Sequence, residues 1–242
     1  MRQFTITLSG NTCDFITTFS HPIILDQKQD YEAAFLSLET YNSIPNITDK
    51  NNKFVYSVNN RETWKTITLE KDAYSLPQIN SEIQRQMILN NDYDGDNLNV
   101  NISHSRLSAV VEITHPNYKI NFGIENSIGP LLGFGNTVLS AGYHKSPRIV
   151  DIMNINSVLI NVDLIQDSFV NGVKGQAIHS FYPNVGPGYK IEERPQPELI
   201  FYPIHSHYIT HIRVWLTDQE NRLIDLQGER ITIRMVIRKS KN

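Results

Sequence analysis

The sequence predicts an all-β sandwich or barrel interrupted by one or two short inserted helices. Apolar and polar residues alternate with period 2 along most of the chain, turn-forming clusters separate the alternating runs, and helical spacing is confined to brief segments. With 242 residues the chain has ample length to bury a core without covalent staples, and β-sandwiches of this size occur as one unit. No repeat, low-complexity tract or composition break divides it, so one domain spanning residues 1–242 is expected. Residues 1–30 within it are expected to form N-terminal strands or an arm.

Taken in order, Phe4, Ile6 and Leu8 alternate with Thr5 and Thr7, and a second strand is expected over 13–19. The segment 31–41 is apolar on both faces, as a central strand would be. Strands over 53–58 and 64–69 flank the turn-formers Asn59-Asn60-Arg61-Glu62, a hairpin connection. Ser75-Leu76-Pro77-Gln78 has the form of a capping box with Pro in the first turn. Ile79, Ile83 and Met87 then share one helical face, and Asn90-Asn91 end the helix.

Leu98, Val100 and Ile102 alternate with Asn97, Asn99, Asn101 and Ser103, and a strand follows over 106–114. A short helical turn over Ser127–Leu132 is stopped by Gly133 and Gly135. Val158, Ile160, Val162 and Leu164 oppose Leu159, Asn161 and Asp163. Pro183, Pro187, Pro195, Pro197 and Pro203 mark an extended ordered loop, with Gly186 and Gly188 supplying a tight turn around Pro187. Strands over 199–203 and 208–216 follow, and Asp218 is expected to organise a hairpin turn after Leu216. Ile231, Ile233, Met235 and Ile237 form the last apolar stripe.

Charge and cysteine content narrow the function. A formal net charge of −3 with 19% charged residues argues against a chain that binds nucleic acid over its whole surface. Cys13 is the single cysteine, which rules out an intrachain disulfide and reads as a small buried apolar side chain. The N-terminal residues lack the apolar core of a signal peptide, and no run approaches the ~20 apolar residues of a membrane span. A reducing, intracellular setting, or a particle assembled there, is therefore expected. Asn46-Ile47-Thr48 and Asn101-Ile102-Ser103 match the glycosylation sequon and are read as chance in that setting.

Candidate chemistry is sparse. His205, His207 and His211 would share one face of a continuous strand and are the candidate metal ligands. On a straight strand, however, residues 207 and 211 stand ~13 Å apart, and the glutamate of a cupin metal motif is missing. Asp92-Tyr93-Asp94-Gly95-Asp96 resembles part of a calcium loop but has glycine at the wrong position, and reads as a turn. The glycine-rich run 129–135 lacks the Walker lysine and the dinucleotide spacing, and there is no G-x-S-x-G elbow. Glu192 and Glu193 are adjacent, so an extended chain points them to opposite faces. No catalytic residue and no cofactor is assigned. Arg234, Arg238, Lys239 and Lys241 form a modest basic end that could touch packaged DNA or be simply solvated. Trp215 is read as core or interface packing.

A more specific signal lies in an ordered series of segments. It begins with Tyr31-Glu32, Leu36-Ser-Leu-Glu-Thr-Tyr41 and Ile79-Asn-Ser-Glu-Ile-Gln84. Ile128-Gly-Pro-Leu-Leu-Gly-Phe134, Gly142-Tyr-His-Lys-Ser146, Ile152-Met-Asn-Ile-Asn-Ser157 and Ser168-Phe-Val-Asn-Gly172 follow. Ser180-Phe-Tyr-Pro-Asn-Val-Gly-Pro-Gly-Tyr-Lys-Ile191, Val214-Trp-Leu-Thr-Asp-Gln-Glu220 and Leu223-Ile-Asp-Leu-Gln-Gly-Glu-Arg-Ile-Thr-Ile-Arg234 close it. The series, spanning residues 28–238, resembles the penton-type minor capsid proteins of Polinton/Maverick elements, adintoviruses and virophages.

That resemblance implies a single jelly-roll β-sandwich whose subunits form homopentamers at the fivefold vertices of an icosahedral capsid. The partner it implies is a double jelly-roll major capsid protein, the location is the virion, and the role is structural rather than enzymatic. Residues 1–30 carry no family pattern. Two other readings stay open: a jelly-roll carbohydrate- or receptor-binding module, which exposed aromatics lining a groove would favour, and a cupin-like metalloprotein centred on His205, His207 and His211.

Overall fold

The computed structural model describes residues 3–92, 101–105, 107–152 and 155–240. The chain divides into two compact units, Met1–Ile44 with Ile155–Asn242 and, inserted between them in sequence, Pro45–Asn154. In chain order, β1 (Gln3–Gly10), β2 (Asp14–Ile24) and β3 (Tyr31–Tyr41) open the first unit. The second unit holds β4 (Lys53–Ser57), β5 (Lys65–Thr68), α1 (Leu76–Leu89), β6 (Asn101–Ser105), β7 (Ser108–Ile113), β8 (Lys119–Asn121), β9 (Val138–Leu139) and β10 (Gly142–Lys145). The chain then re-enters the first unit with β11 (Val158–Val162), β12 (Ser168–Val170), β13 (Val173–Gly175) and β14 (Ala177–Phe181). β15 (Lys190–Glu193), β16 (Tyr202–Pro203), β17 (Tyr208–Thr217) and β18 (Ile231–Lys239) complete it.

The first unit is a jelly roll, and its pairings show why. β1 pairs β18, β2 pairs β17, β3 pairs β15 and β11 pairs β14, all antiparallel. Outermost strands pair with outermost and innermost with innermost, so the chain is one long antiparallel ribbon. Cross-pairing of β18 with β3 and of β11 with β17 rolls that ribbon into two sheets, ordered β1-β18-β3-β15 and β14-β11-β17-β2. The inward stripes are those the alternation predicts. Ile6 and Leu8 of β1, and Ile231, Ile233, Met235 and Ile237 of β18, join one core with Val158, Ile160 and Val162 of β11 and Ile212, Val214 and Leu216 of β17. At roughly 25 cal/mol per Å² of apolar surface removed from water, such stripes dominate the sheet-to-sheet attraction. Cys13 is buried beside them, and burial pushes its thiol up to about 11, as a small core side chain would behave.

β3 is the central strand that its two-sided apolar pattern predicts, with Ala33, Ala34, Phe35 and Leu38 all buried. Its far edge is divided. β15 covers Leu38–Tyr41 and β16 covers Glu32–Ala33, and the proline-rich stretch 194–201 leaves the sheet between them. The strand expected over 199–203 is thus reduced to Tyr202–Pro203, because Pro203 has no N–H to extend a ladder and is tolerated only at an edge. The turn before β15 holds Pro187 at its second position and Gly188 at its third, with φ +78° at Gly188. Gly186, expected to share the left-handed role, instead supplies the carbonyl that accepts from the Tyr189 N–H at 3.3 Å.

In the second unit, sheets ordered β5-β4-β8-β9 and β10-β7-β6 share a core with α1. The capping box forms as predicted: Ser75 Oγ accepts from the Gln78 N–H at 3.4 Å and Gln78 Oε1 from the Ser75 N–H at 2.7 Å. Leu76, Ile79, Ile83 and Met87 are the buried face of the helix. The segment 127–132 makes a single helical turn, closed by the Leu132 N–H on the Ile128 carbonyl, and does not become a second helix. Gly133, at φ +82°, ends it, and a Cβ there would collide with the Arg148 carbonyl. The strand expected over 97–103 is seen from Asn101 onward; Leu98 and Val100 lie outside the described residues.

Candidate binding and assembly surfaces

The three candidate metal ligands do not converge. β17 starts at Tyr208, so His205 and His207 precede the strand and only His211 lies on it. His205 donates from Nδ1 to the Leu164 carbonyl at 2.9 Å, and His207 from Nε2 to the Gln29 carbonyl at 2.9 Å. His211 Nε2 stands 3.9 Å from Asp163 Oδ2. His205 and His211 are thus held on the neighbouring residues Leu164 and Asp163 and line one small cleft, His207 is turned away to Gln29, and among the described residues no three His, Cys, Asp or Glu side chains are grouped as metal ligands.

Of the partial calcium loop, residues 93–96 lie outside the described residues. Asp92 receives Lys65 Nζ at 2.7 Å and the Tyr56 hydroxyl at 2.6 Å, an anchor at the end of α1. Glu192 and Glu193 do part to opposite sides: Glu192 takes Lys190 at 2.8 Å, and Glu193 takes His179 Nε2 at 2.9 Å. The Asn46 sequon is closed to modification in the fold, because the side chain is buried and its Nδ2 donates to the carbonyls of Tyr74 and Ile152. Nothing is described of the Asn101 side chain.

At the basic end, Arg238 is already neutralised. Its Nε donates to Glu32 Oε1 at 2.6 Å and its guanidinium lies 3.2 Å from the centroid of the Phe201 ring. Arg234 is exposed, Lys239 is half-buried opposite Tyr31, and Lys241 lies outside the described residues.

Among the described residues, the clefts on the first unit include two of ligand size. One, of about 730 Å³, lies along the edge strands β1 and β2 and is lined by Phe4, Ile6, Phe19, Ile23, Ile24 and Tyr31. The other, of about 710 Å³, lies on the outer face of the β11–β17 pair and under the β12–β13 hairpin. There Asn161 and Trp215 are register neighbours on strands whose alternate residues fill the core, so both face outward. The guanidinium of Arg213 stands over the Trp215 ring, 5.1 Å from its centroid, and a two-pronged bond to Asp14 at 2.8 and 2.6 Å holds it there. This bond also holds the Asp14 carboxyl below its ordinary value. Trp215 is therefore neither core nor buried contact within the chain, but half-exposed on a groove. The β12–β13 hairpin and its groove were not expected from the alternation, although Asn171-Gly172 is a strong two-residue turn signal.

The fold and these surfaces define a class: an all-β jelly roll, the architecture used by viral capsid, lectin and cupin domains. Within that class the structure is similar to the crystal structure of the mavirus penton protein, with a TM-score of 0.54 at 11% sequence identity, covering 99% of this chain and 100% of that one. At that identity the likeness establishes the fold. No protein-family model matches the sequence, and no curated protein does.

Proposed function

We propose that this protein is a penton-type minor capsid subunit. In this reading the whole chain acts as one subunit, forms homopentamers at the fivefold vertices of an icosahedral particle, and sits among double jelly-roll major capsid proteins in the virion. The observation that carries it is the structural likeness to the mavirus penton protein, which extends over 99% of this chain. Five copies about a cyclic axis make heterologous contacts that close into a ring, and such contacts need apolar and aromatic surface rather than reacting groups. The stretch from β14 to β16 supplies such surface: Tyr182, Tyr189 and Ile200 are each more than half exposed on the proline-rich loop. A contact of the C-terminal Arg238, Lys239 and Lys241 with packaged DNA belongs to the same reading; among the described residues Arg238 is occupied by Glu32, which leaves Arg234 and Lys239 as the cations for it.

Light scattering behind size exclusion tests the reading directly. A species of five times the 27.8 kDa chain mass is expected over a concentration series. A strict monomer that also fails to enter particles when co-produced with a double jelly-roll major capsid protein would overturn it.

A further inference from the structure

We infer that the groove under the β12–β13 hairpin is a binding site for a neutral carbohydrate. The inference rests on the groove's own geometry and is independent of oligomeric state. At about 710 Å³ the groove falls within the ~300–1,000 Å³ of ordinary small-ligand sites.

Its wall is built from amides that are locked in one orientation. Asn161 donates its Nδ2 to the Trp215 carbonyl at 3.3 Å, Asn171 its Nδ2 to the Gln219 carbonyl at 3.1 Å, and Gln176 its Nε2 to the Asp163 carbonyl at 3.2 Å. A backbone carbonyl only accepts, so each amide has its nitrogen fixed toward the protein and its oxygen turned away. No described residue donates to those three oxygens. The wall therefore presents several pre-oriented acceptors, which suit a ligand that brings several hydroxyl donors.

The charges on the wall are already paired. Lys174 binds Asp167 at 2.9 Å, and Glu220 is engaged by Arg222. Among the described residues that line the groove, Lys174 and Glu220 are thus already engaged, which favours a neutral polyol over a phosphate, a nucleotide or a metal ion. Trp215 adds apolar surface to the groove: Arg213 covers one face of its indole and holds it in place, and the part-exposed remainder of the ring is what the C–H face of a sugar would meet.

The experiment is a glycan array probed with the full chain, followed by saturation-transfer NMR with methyl glycosides and short oligosaccharides of glucose, galactose, mannose and N-acetylglucosamine. Binding to a subset of neutral glycans is expected. Gln176→Ala and Trp215→Ala should each weaken it about tenfold or more, the loss of one good contact. Ile16→Ala, on the same sheet but outside the groove, is the folding and specificity control and should leave affinity unchanged. The inference is overturned by an array and NMR series without signal, by binding that survives both groove substitutions, or by binding confined to sulfated or sialylated glycans and abolished by salt.

Discussion

Asp218 shows how one side chain sets a local structure. Its Oδ1 accepts the backbone N–H groups of Glu220 at 3.0 Å and Arg222 at 2.9 Å, and its Oδ2 takes Arg222 Nε at 2.7 Å. The turn residue expected after Leu216 therefore works as predicted, through side-chain to backbone bonding. Burial of this carboxyl raises its pKa, but the bonds from Arg222 and Glu220 together outweigh that and hold it below the ordinary aspartate value. A depressed folded-state value means stabilisation that is present above the unfolded value, about 4, and lost as the pH falls through the folded one. Asp218→Ala should then cost about 1–3 kcal/mol at neutral pH, through the lost bonds and the orphaned N–H groups. The urea midpoints of variant and parent should converge below about pH 4. Stabilities that stay parallel from neutral to acid would show that the carboxylate contributes nothing through its charge.

At the scale of elements, legibility followed burial. Strands β1, β3, β11, β17 and β18 are all recognisable from the sequence, because each lays a stripe of Ile, Val, Leu or Phe on the core. β14 and β15 were not, and both are sheet edges: in Lys190–Glu193 only Ile191 is buried, while the charged flanks serve an edge that must not pair with strangers. β12 and β13 have three residues each, too few for a period to register, and only their Asn171-Gly172 turn, with φ +51° and +79°, advertises them. The three histidines do not share one strand face for a related reason. Their even spacing has meaning only on a continuous strand, and the chain reaches β17 three residues too late for His205. Glycine punctuation was more dependable. Gly133 ends the 127–132 turn where a left-handed backbone and the Arg148 carbonyl leave no room for a side chain. Gly133→Ala should cost more than the ~1 kcal/mol of a simple left-handed penalty, since the backbone carbonyl must also move. Thermal unfolding checks this, with Gly135→Ala as comparator: its φ is also positive, at +64°, but nothing lies within 4 Å of its Cβ position. Equal losses would mean that the collision is relieved at no cost.

For the whole molecule, the feature with least trace in the sequence is the insertion between β3 and β11. Composition does not change at residue 45 or at 154, because both units are β-rich, bury similar apolar residues and use the same turn-formers. The jelly roll itself is physically complete without the inserted residues. Every strand of its two sheets comes from residues before 45 or after 154, as does every member of its core cluster. A chain in which residues 45–154 are replaced by a flexible Gly/Ser linker should therefore still fold. The roll would lose no ladder pairing and no buried stripe, and a longer or shorter flexible connection changes closure entropy by only ~0.6 kcal/mol per doubling. The expected result is a cooperative urea transition with β-type circular dichroism and dispersed amide signals, retaining slow exchange at β18 and β3, the strands at the centre of one sheet. A non-cooperative transition with molten-globule signatures would show instead that the inserted residues are needed to hold the roll closed.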